Sequence, residues 1–429
     1  MSEHVVRIGM LGCGTVGAAA IRMLYEHADD IAARTGVRIE VVKVAVRDLD
    51  RARDVPLPRE AFTVDGTEIV DDPGIDVVVE LIGGIEPAKQ LLLRALANGK
   101  RVVTANKELL ANEGRDLFDA ADAAGLDLLF EAAVAGGAPL IRPLKESLAG
   151  DRVTRMLGIV NGTTNFILTQ MSEQGWGFAD ALAEAQRLGY AEADPTADVE
   201  GFDAAAKCAI LASIAFTTRV VASDVYREGI AGITAQDIAD AHRLGYVIKL
   251  IAIAELTDGQ ISAQVHPAMI PAAHPLASVR DAFNAVFVES EKAGQLMFYG
   301  RGAGGDPTAT SVVGDVIQAA RHAAFGGRAI GCTCVLQRPL RPMAETMGQY
   351  YLNLHVKDSP GVLAEIATRF GEHAVSIERV WQEGFGDEAT LVFITHRARE
   401  GDLQDTLERL RTMPSVRAIT SVLRVEGEE

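Results

Sequence analysis

The feature that most constrains this chain is its opening. A compact β-rich run, Val5 to Leu11, ends in Gly12-Cys13-Gly14-Thr15-Val16-Gly17, and helical spacing follows from Thr15 to about His27. Few folds turn a strand through GxGxxG into a helix. The first glycine makes the tight turn, the second leaves room for a pyrophosphate, and the third lets helix and strand pack closely. The pattern therefore predicts a dinucleotide on Gly12, Gly14, Thr15, Val16 and Gly17, with its phosphates on the free N–H groups of the helix N-terminus. Gly-rich turns are common. What favours the dinucleotide over a plain turn is the position between a strand and a helix.

The same rhythm continues. Val37 to Val46, Ile75 to Ile82, Arg101 to Thr104 and Leu126 to Phe130 are short apolar runs, with helical patterns over Pro87 to Asn98 and Lys107 to Ala124. Such alternation predicts an α/β domain, a Rossmann-type doubly wound parallel sheet over residues 1–136. The second strand ends in Arg47-Asp48. An Arg there accommodates the 2′-phosphate of NADP, while an acidic residue takes the ribose of NAD. The cofactor is therefore NADP or NAD, and Arg47 favours NADP.

After Gly136-Gly137 the pattern changes. Residues 137–306 mix helical stretches (Phe178 to Leu188, Gly201 to Phe216) with strand-like runs (Val247 to Ala254, Gln260 to Val265, Ala285 to Ser290). They are expected to form an α+β catalytic and oligomerisation domain. A long helix near 307–325 is expected to complete the nucleotide domain. Residues 326–349, with Arg338-Pro339-Leu340-Arg341-Pro342, read as a stiff linker. The tail, 350–429, has a βαββαβ rhythm and predicts a small ferredoxin-like domain.

The balance of 41 basic against 59 acidic residues, a net charge of -18, disfavours nucleic acid and anionic membrane as partners. No Lys/Arg run offers a local patch, and no apolar run is long enough to span a bilayer. Four cysteines in 429 residues make no disulfide framework, which points to a reducing cytoplasm. Cys332-x-Cys334 lacks the second pair that zinc requires and reads as inert.

Residues 185–207 are dense in closely spaced polar groups. Asp203 and Lys207 stand one turn apart on one helix face, and Glu192 and Asp198 lie in the preceding loop. A lysine among carboxylates can bind an amino-acid substrate through the acids and pass a proton to a carbonyl oxygen. An i,i+4 Asp–Lys pair is also ordinary on a solvated helix face. The apolar continuation, Cys208 to Phe216, argues for burial instead. Lys107, where a short strand meets a helix, sits at the strand edge where ligands gather in such sheets.

Several runs together resemble the homoserine dehydrogenase family: Gly189 through Asp194-Pro195, Asp198, Gly201 and Asp203 to Lys207; Thr104-Ala-Asn-Lys107; Glu131 to Pro139; Asn161-Gly-Thr-Thr-Asn165; and Gly302 to Ala309. Asp358-Ser-Pro-Gly-Val-Leu363 makes the tail similar to an ACT domain, an amino-acid-sensing module. The resemblance implies NAD(P)H-dependent reduction of L-aspartate 4-semialdehyde to L-homoserine, on the route to threonine and methionine. It implies Lys207 as proton donor, Lys107 as its companion at the reacting carbon, and Glu192, Asp198 and Asp203 as holders of the substrate's amino group. It further implies a monovalent cation, usually sodium, on Glu131 and the carbonyls of Val134, Gly136 and Ala138. Gly304 and Gly305 would close over the cofactor. Threonine is the expected effector, bound between paired copies of the tail, and a homodimer or homotetramer the expected assembly.

Two other readings compete. An aldehyde-oxidising enzyme working through a thioester needs an activated cysteine, and Cys208 has no histidine near it in sequence. A catalytically silent amino-acid sensor would have no use for the Lys107 and Asp203/Lys207 clusters.

Overall fold

The structure is a computed structural model and describes residues 4–427. The buried half of β1 (His4–Leu11) lies at the centre of a parallel sheet with β2 (Val37–Ala45), β3 (Phe62–Thr63), β4 (Val77–Glu80), β5 (Arg101–Thr104) and β6 (Leu128–Leu129), in the order β3-β2-β1-β4-β5-β6. That order reverses beside β1, and doubly wound sheets bind ligands at this switch point. On one face lie α1 (Thr15–Glu26) and α2 (Ala28–Thr35). On the other lie α3 (Ala88–Ala97) and α4 (Lys107–Ala124).

A second sheet starts with β7 (Val153–Ile159), which leads into α5 (Gly162–Gln174), α6 (Phe178–Arg187), α7 (Phe202–Ala215), β8 (Tyr226–Arg227) and α8 (Ala235–Leu244). The antiparallel strands β9 (Tyr246–Thr257), β10 (Gln260–Pro271), β11 (Phe283–Ser290) and β12 (Gly294–Arg301) follow. Helix α7 is apolar almost all round and packs on β9 and β10 inside the largest core. The long α9 (Gly305–Phe325) returns to the first sheet and packs beside α1 through Ala309, Val312, Val316 and Ala320.

The tail is β13 (Met347–Lys357), α10 (Val362–Glu372), β14 (Ile377–Phe385), β15 (Glu388–Thr395), β16 (Ala398–Arg399), α11 (Glu400–Arg411) and β17 (Val416–Val425). Its strand order, β17-β13-β15-β14, is the ferredoxin-like one. This sheet does not stand apart. β17 pairs in parallel with β10 (Ala268 with Arg424, Met269 with Val425), giving one sheet ordered β12-β11-β7-β9-β10-β17-β13-β15-β14. Tyr351, Ile394 and Leu423 of the tail belong to the same core as α7.

The stretch before β13 is stapled down rather than free. Leu336 N–H donates to Thr217 O at 2.8 Å, and Ile261 exchanges backbone hydrogen bonds with Pro339 and Arg341. Proline stiffness suited the segment to lying extended against a strand. Helices α5 and α8 and strands β7 and β12 were not anticipated from periodicity. Among the described residues, no helix is long and apolar enough to cross a membrane.

Candidate active site

The Gly-rich turn has the geometry its sequence demands. Gly12 has φ +106, and a Cβ on it would lie 2.8 Å from Leu81 O. A Cβ on Gly17 would lie 2.6 Å from Gly12 O, whereas nothing lies within 4 Å of one on Gly14. The first and third glycines are thus required by packing. The second faces open space before the uncapped N-terminus of α1. Gly304, with φ +120, precedes α9, and a Cβ on Gly305 would lie 3.1 Å from Thr15 Cγ2, so this turn lies against the first. Arg47 and Asp48 are both exposed at the end of β2. Sequence reasoning missed Arg53, whose guanidinium donates to the carbonyl of Asp48 at 2.7 Å and whose charge reaches Cys13 in the Gly-rich turn.

A cavity of about 1540 Å³ joins this turn to the second domain. Val16, Ala105 and Gly304 line one side, and Asn161, Glu192, Asp198, Asp203 and Lys207 the other. Lys107 is the first residue of α4, just past β5. Asn106 sets that start, accepting from Leu109 N–H at 3.1 Å and donating to Gly84 O at 2.6 Å.

Asp203 is the hub. Its Oδ2 accepts from Lys207 Nζ at 2.6 Å and its Oδ1 from Lys107 Nζ at 2.9 Å. Burial opposes its ionisation, but the two ammonium groups outweigh burial and hold the carboxyl well below the usual carboxylate range. Burial likewise works against the charge on Lys107, yet Asp203 leaves that pKa raised. Lys207 also donates to Val160 O at 2.7 Å, and its side chain is only 12% exposed, so it is no solvated surface pair.

Asn161 organises the carboxylates. Its Oδ1 caps α5 by accepting from Thr164 N–H at 2.9 Å, and its Nδ2 donates to Asp198 at 2.6 Å and Asp203 at 2.9 Å. Asp198 has its pKa raised, chiefly by burial. Asn161 was missed as a site residue. An Asn ahead of Gly-Thr-Thr signals an N-cap, which gives the helix start but not the contact with the two acids. Glu192 lines the same cavity from an exposed position, apart from the hydrogen-bonded cluster. Cys208 faces away into the core, its thiol near Ile253 O and pushed up to about 12 by burial, which leaves no thiolate for a thioester route.

The bend at 131–138 is held by its own hydrogen bonds. The Glu131 carboxylate accepts from the backbone N–H groups of Leu140, Ile141 and Arg142 at 2.5, 2.8 and 2.8 Å. These three bonds fix the bend and leave the carboxylate with further acceptor capacity. Ala135 and Gly136 both have positive φ there, and Gly136 O accepts from Ser311. Cys332 and Cys334 are free thiols, and the hydrogen bond between them lowers the pKa of Cys332 and raises that of Cys334.

Residues 12–131 match the family model of the homoserine dehydrogenase NAD-binding domain, residues 139–317 that of homoserine dehydrogenase, and residues 350–414 that of the ACT domain. A homoserine dehydrogenase of Corynebacterium glutamicum is 52% identical over 428 residues, covering 99% of this chain and 96% of that one. The crystal structure of a homoserine dehydrogenase from Thiobacillus denitrificans superposes with a TM-score of 0.92 at 41% identity, covering 98% of each chain. A hyperthermophilic archaeal homoserine dehydrogenase in complex with NADPH superposes with a TM-score of 0.60 at 29% identity, covering 73% of this chain and 97% of that one.

Proposed function

Because the chain belongs to the homoserine dehydrogenase family, an NAD(P)-dependent oxidoreductase acting on a CH–OH group, we propose that it carries out the reversible NAD(P)H-dependent reduction of L-aspartate 4-semialdehyde to L-homoserine, on the route to threonine, methionine and isoleucine. The observation that carries the reading is the single Asp203 carboxylate joining Lys107 and Lys207 in the cavity that begins at the Gly-rich turn.

The cofactor, when bound, supplies the hydride. Lys207 has three N–H bonds, and Val160 O and Asp203 engage two of them. The third is free for the aldehyde oxygen and delivers a proton there as the carbon is reduced, so C=O becomes CH–OH. Asp203 remains ionised and keeps Lys207 in place. Lys107 is the companion ammonium beside the reacting carbon. Glu192, Asp198 and Asp203 are the acids that receive the substrate's amino group.

Gly12, Gly14, Thr15, Val16, Gly17, Gly304 and Gly305 are the cofactor-binding positions. Arg47, joined by Arg53, favours NADP, and the NADPH-bound archaeal relative supports that choice. A monovalent cation, sodium, would be held in the 131–138 bend by Glu131 and the carbonyls of Val134, Gly136 and Ala138.

In this reading residues 1–136, completed by 307–325, bind the nucleotide, and 137–306 carry catalysis and oligomer contacts. Residues 326–349 connect to the ACT domain at 350–429, which takes L-threonine as inhibitor between paired copies. β12 and β14 are the two edges of the large sheet and suit assembly into a homodimer or homotetramer. Free thiols on all four cysteines favour a reducing cytoplasm.

The test is a steady-state absorbance assay of the full chain with semialdehyde and NADPH or NADH, and with homoserine and the oxidised cofactors. Turnover in both directions is expected. Absence of turnover with both cofactors sinks the reading.

A further inference from the structure

Segment 226–230 lies between the ACT strand β17 and the turn that bears Asp198 and Asp203. On its ACT side, the guanidinium of Arg424 is buried, 6% exposed. Its Nε and Nη2 bind the two oxygens of Glu400 at 3.1 and 2.9 Å. Its remaining nitrogen, Nη1, reaches Glu228 Oε1 at 2.9 Å. Tyr226 donates its hydroxyl to the same Glu228 oxygen, and its ring centroid lies 5.4 Å from the guanidinium. On the other side, Arg227 donates to Glu200 O at 3.2 Å and stacks 3.4 Å above the Phe202 ring. Ile230 N–H donates to Val199 O at 2.8 Å, and Gly229 is packed so closely that a Cβ would strike that same carbonyl. Val199, Glu200 and Phe202 are residues of the stretch between Asp198 and Asp203.

We propose that Arg424 is a positioning residue: through Glu228 it fixes segment 226–230, and that segment fixes the turn that presents Asp198 and Asp203 to substrate. The inference rests on the reading of those two acids as substrate-side groups. An arginine suits the place because its planar fork satisfies two carboxylates in different directions at once, which a lysine ammonium does far less well. It follows that the ACT domain bears on the substrate end of the cavity.

The variants are Glu228→Gln, at a partly exposed carboxylate whose change leaves the Arg424–Glu400 pair intact, and Arg424→Met, alone and combined. The Michaelis constant for semialdehyde should rise roughly 2- to 30-fold in each, with kcat and the NADPH Michaelis constant nearly unchanged. The double variant should be no worse than Arg424→Met alone, because both act through one contact. Backbone hydrogen exchange across 198–203 should speed up in Glu228→Gln. Unchanged semialdehyde affinity and exchange in Glu228→Gln overturn the proposal, as do effects that multiply in the double variant. So does an equal loss in kcat and cofactor affinity. If Arg424→Met does not fold, Glu228→Gln with the exchange measurement decides alone. Wild-type semialdehyde affinity in Asp198→Asn would instead overturn the site reading, and the exchange result would still report on the contact between 226–230 and the turn.

Discussion

Lys107 and Lys207 come from helices packed on different sheets, one at the start of α4 and one inside α7, yet they meet on opposite oxygens of one carboxylate, 2.9 and 2.6 Å away. Like charges do not gather without a reason. Asp203 neutralises part of their repulsion, and each ammonium keeps N–H donors beyond that carboxylate.

Replacing Lys207 with Ala should lower kcat for semialdehyde reduction by about 10²–10⁴, the usual worth of a general acid. NADPH binding, measured by quenching of protein fluorescence, should survive. Retention of most activity refutes the assignment of Lys207.

Asp203→Asn should alter the pH profile in a defined direction. With the anion gone, burial is left as the main influence on Lys107, and its raised pKa should fall. The alkaline limb of kcat/KM should move to lower pH. A limb that stays in place argues that neither lysine must be protonated.

The three glycines of the first turn should separate stability from binding. Gly17→Ala pushes a methyl against Gly12 O and should lower the melting temperature. Gly14→Ala meets open space, so the fold should be intact while NADPH affinity drops sharply. Equal affinity in Gly14→Ala and the parent would show that the pyrophosphate lies elsewhere.

Asp315 predicts a pH effect on stability. Buried beside the Glu131 carboxylate, and despite Glu131 N–H and Arg142, its carboxyl is pushed up to about 7 from 3.8. The folded chain therefore holds an extra proton relative to the unfolded chain across that window. Stability contributed by this group is greatest at acid pH and falls as pH rises from 3.8 to about 7. Asp315→Asn should flatten that part of a melting-temperature profile. An unchanged slope assigns it to other groups.

Added L-threonine should inhibit the full-length chain in steady-state turnover. Deleting the tail is a poor way to test this, since β17 is a partner of β10 and its loss uncovers core residues. No inhibition at millimolar threonine would exclude it as effector.

Much of this was legible because the informative contacts are short in sequence. GxGxxG between a strand and a helix, and Asp203 with Lys207 one turn apart, each state their geometry locally. Asn161 was hidden because its role depends on Asp198 and Asp203, which only the fold brings to its amide. The cation role of Glu131 rests on the family resemblance, and nothing linear shows that three backbone amides also hold its carboxylate. The join of β17 to β10 was invisible for a similar reason, since strand pairing across such a separation is set by tertiary burial, not by pattern.

That join also decides how a message can travel. Two lobes tied by a loose tether can swing apart, but strands knitted edge to edge into one fabric resist bending at the seam. An effector bound in the tail would therefore act on the catalytic lobe through paired backbone and shared core, not across a tether. Heating should accordingly undo the tail and the catalytic lobe in a single shared transition.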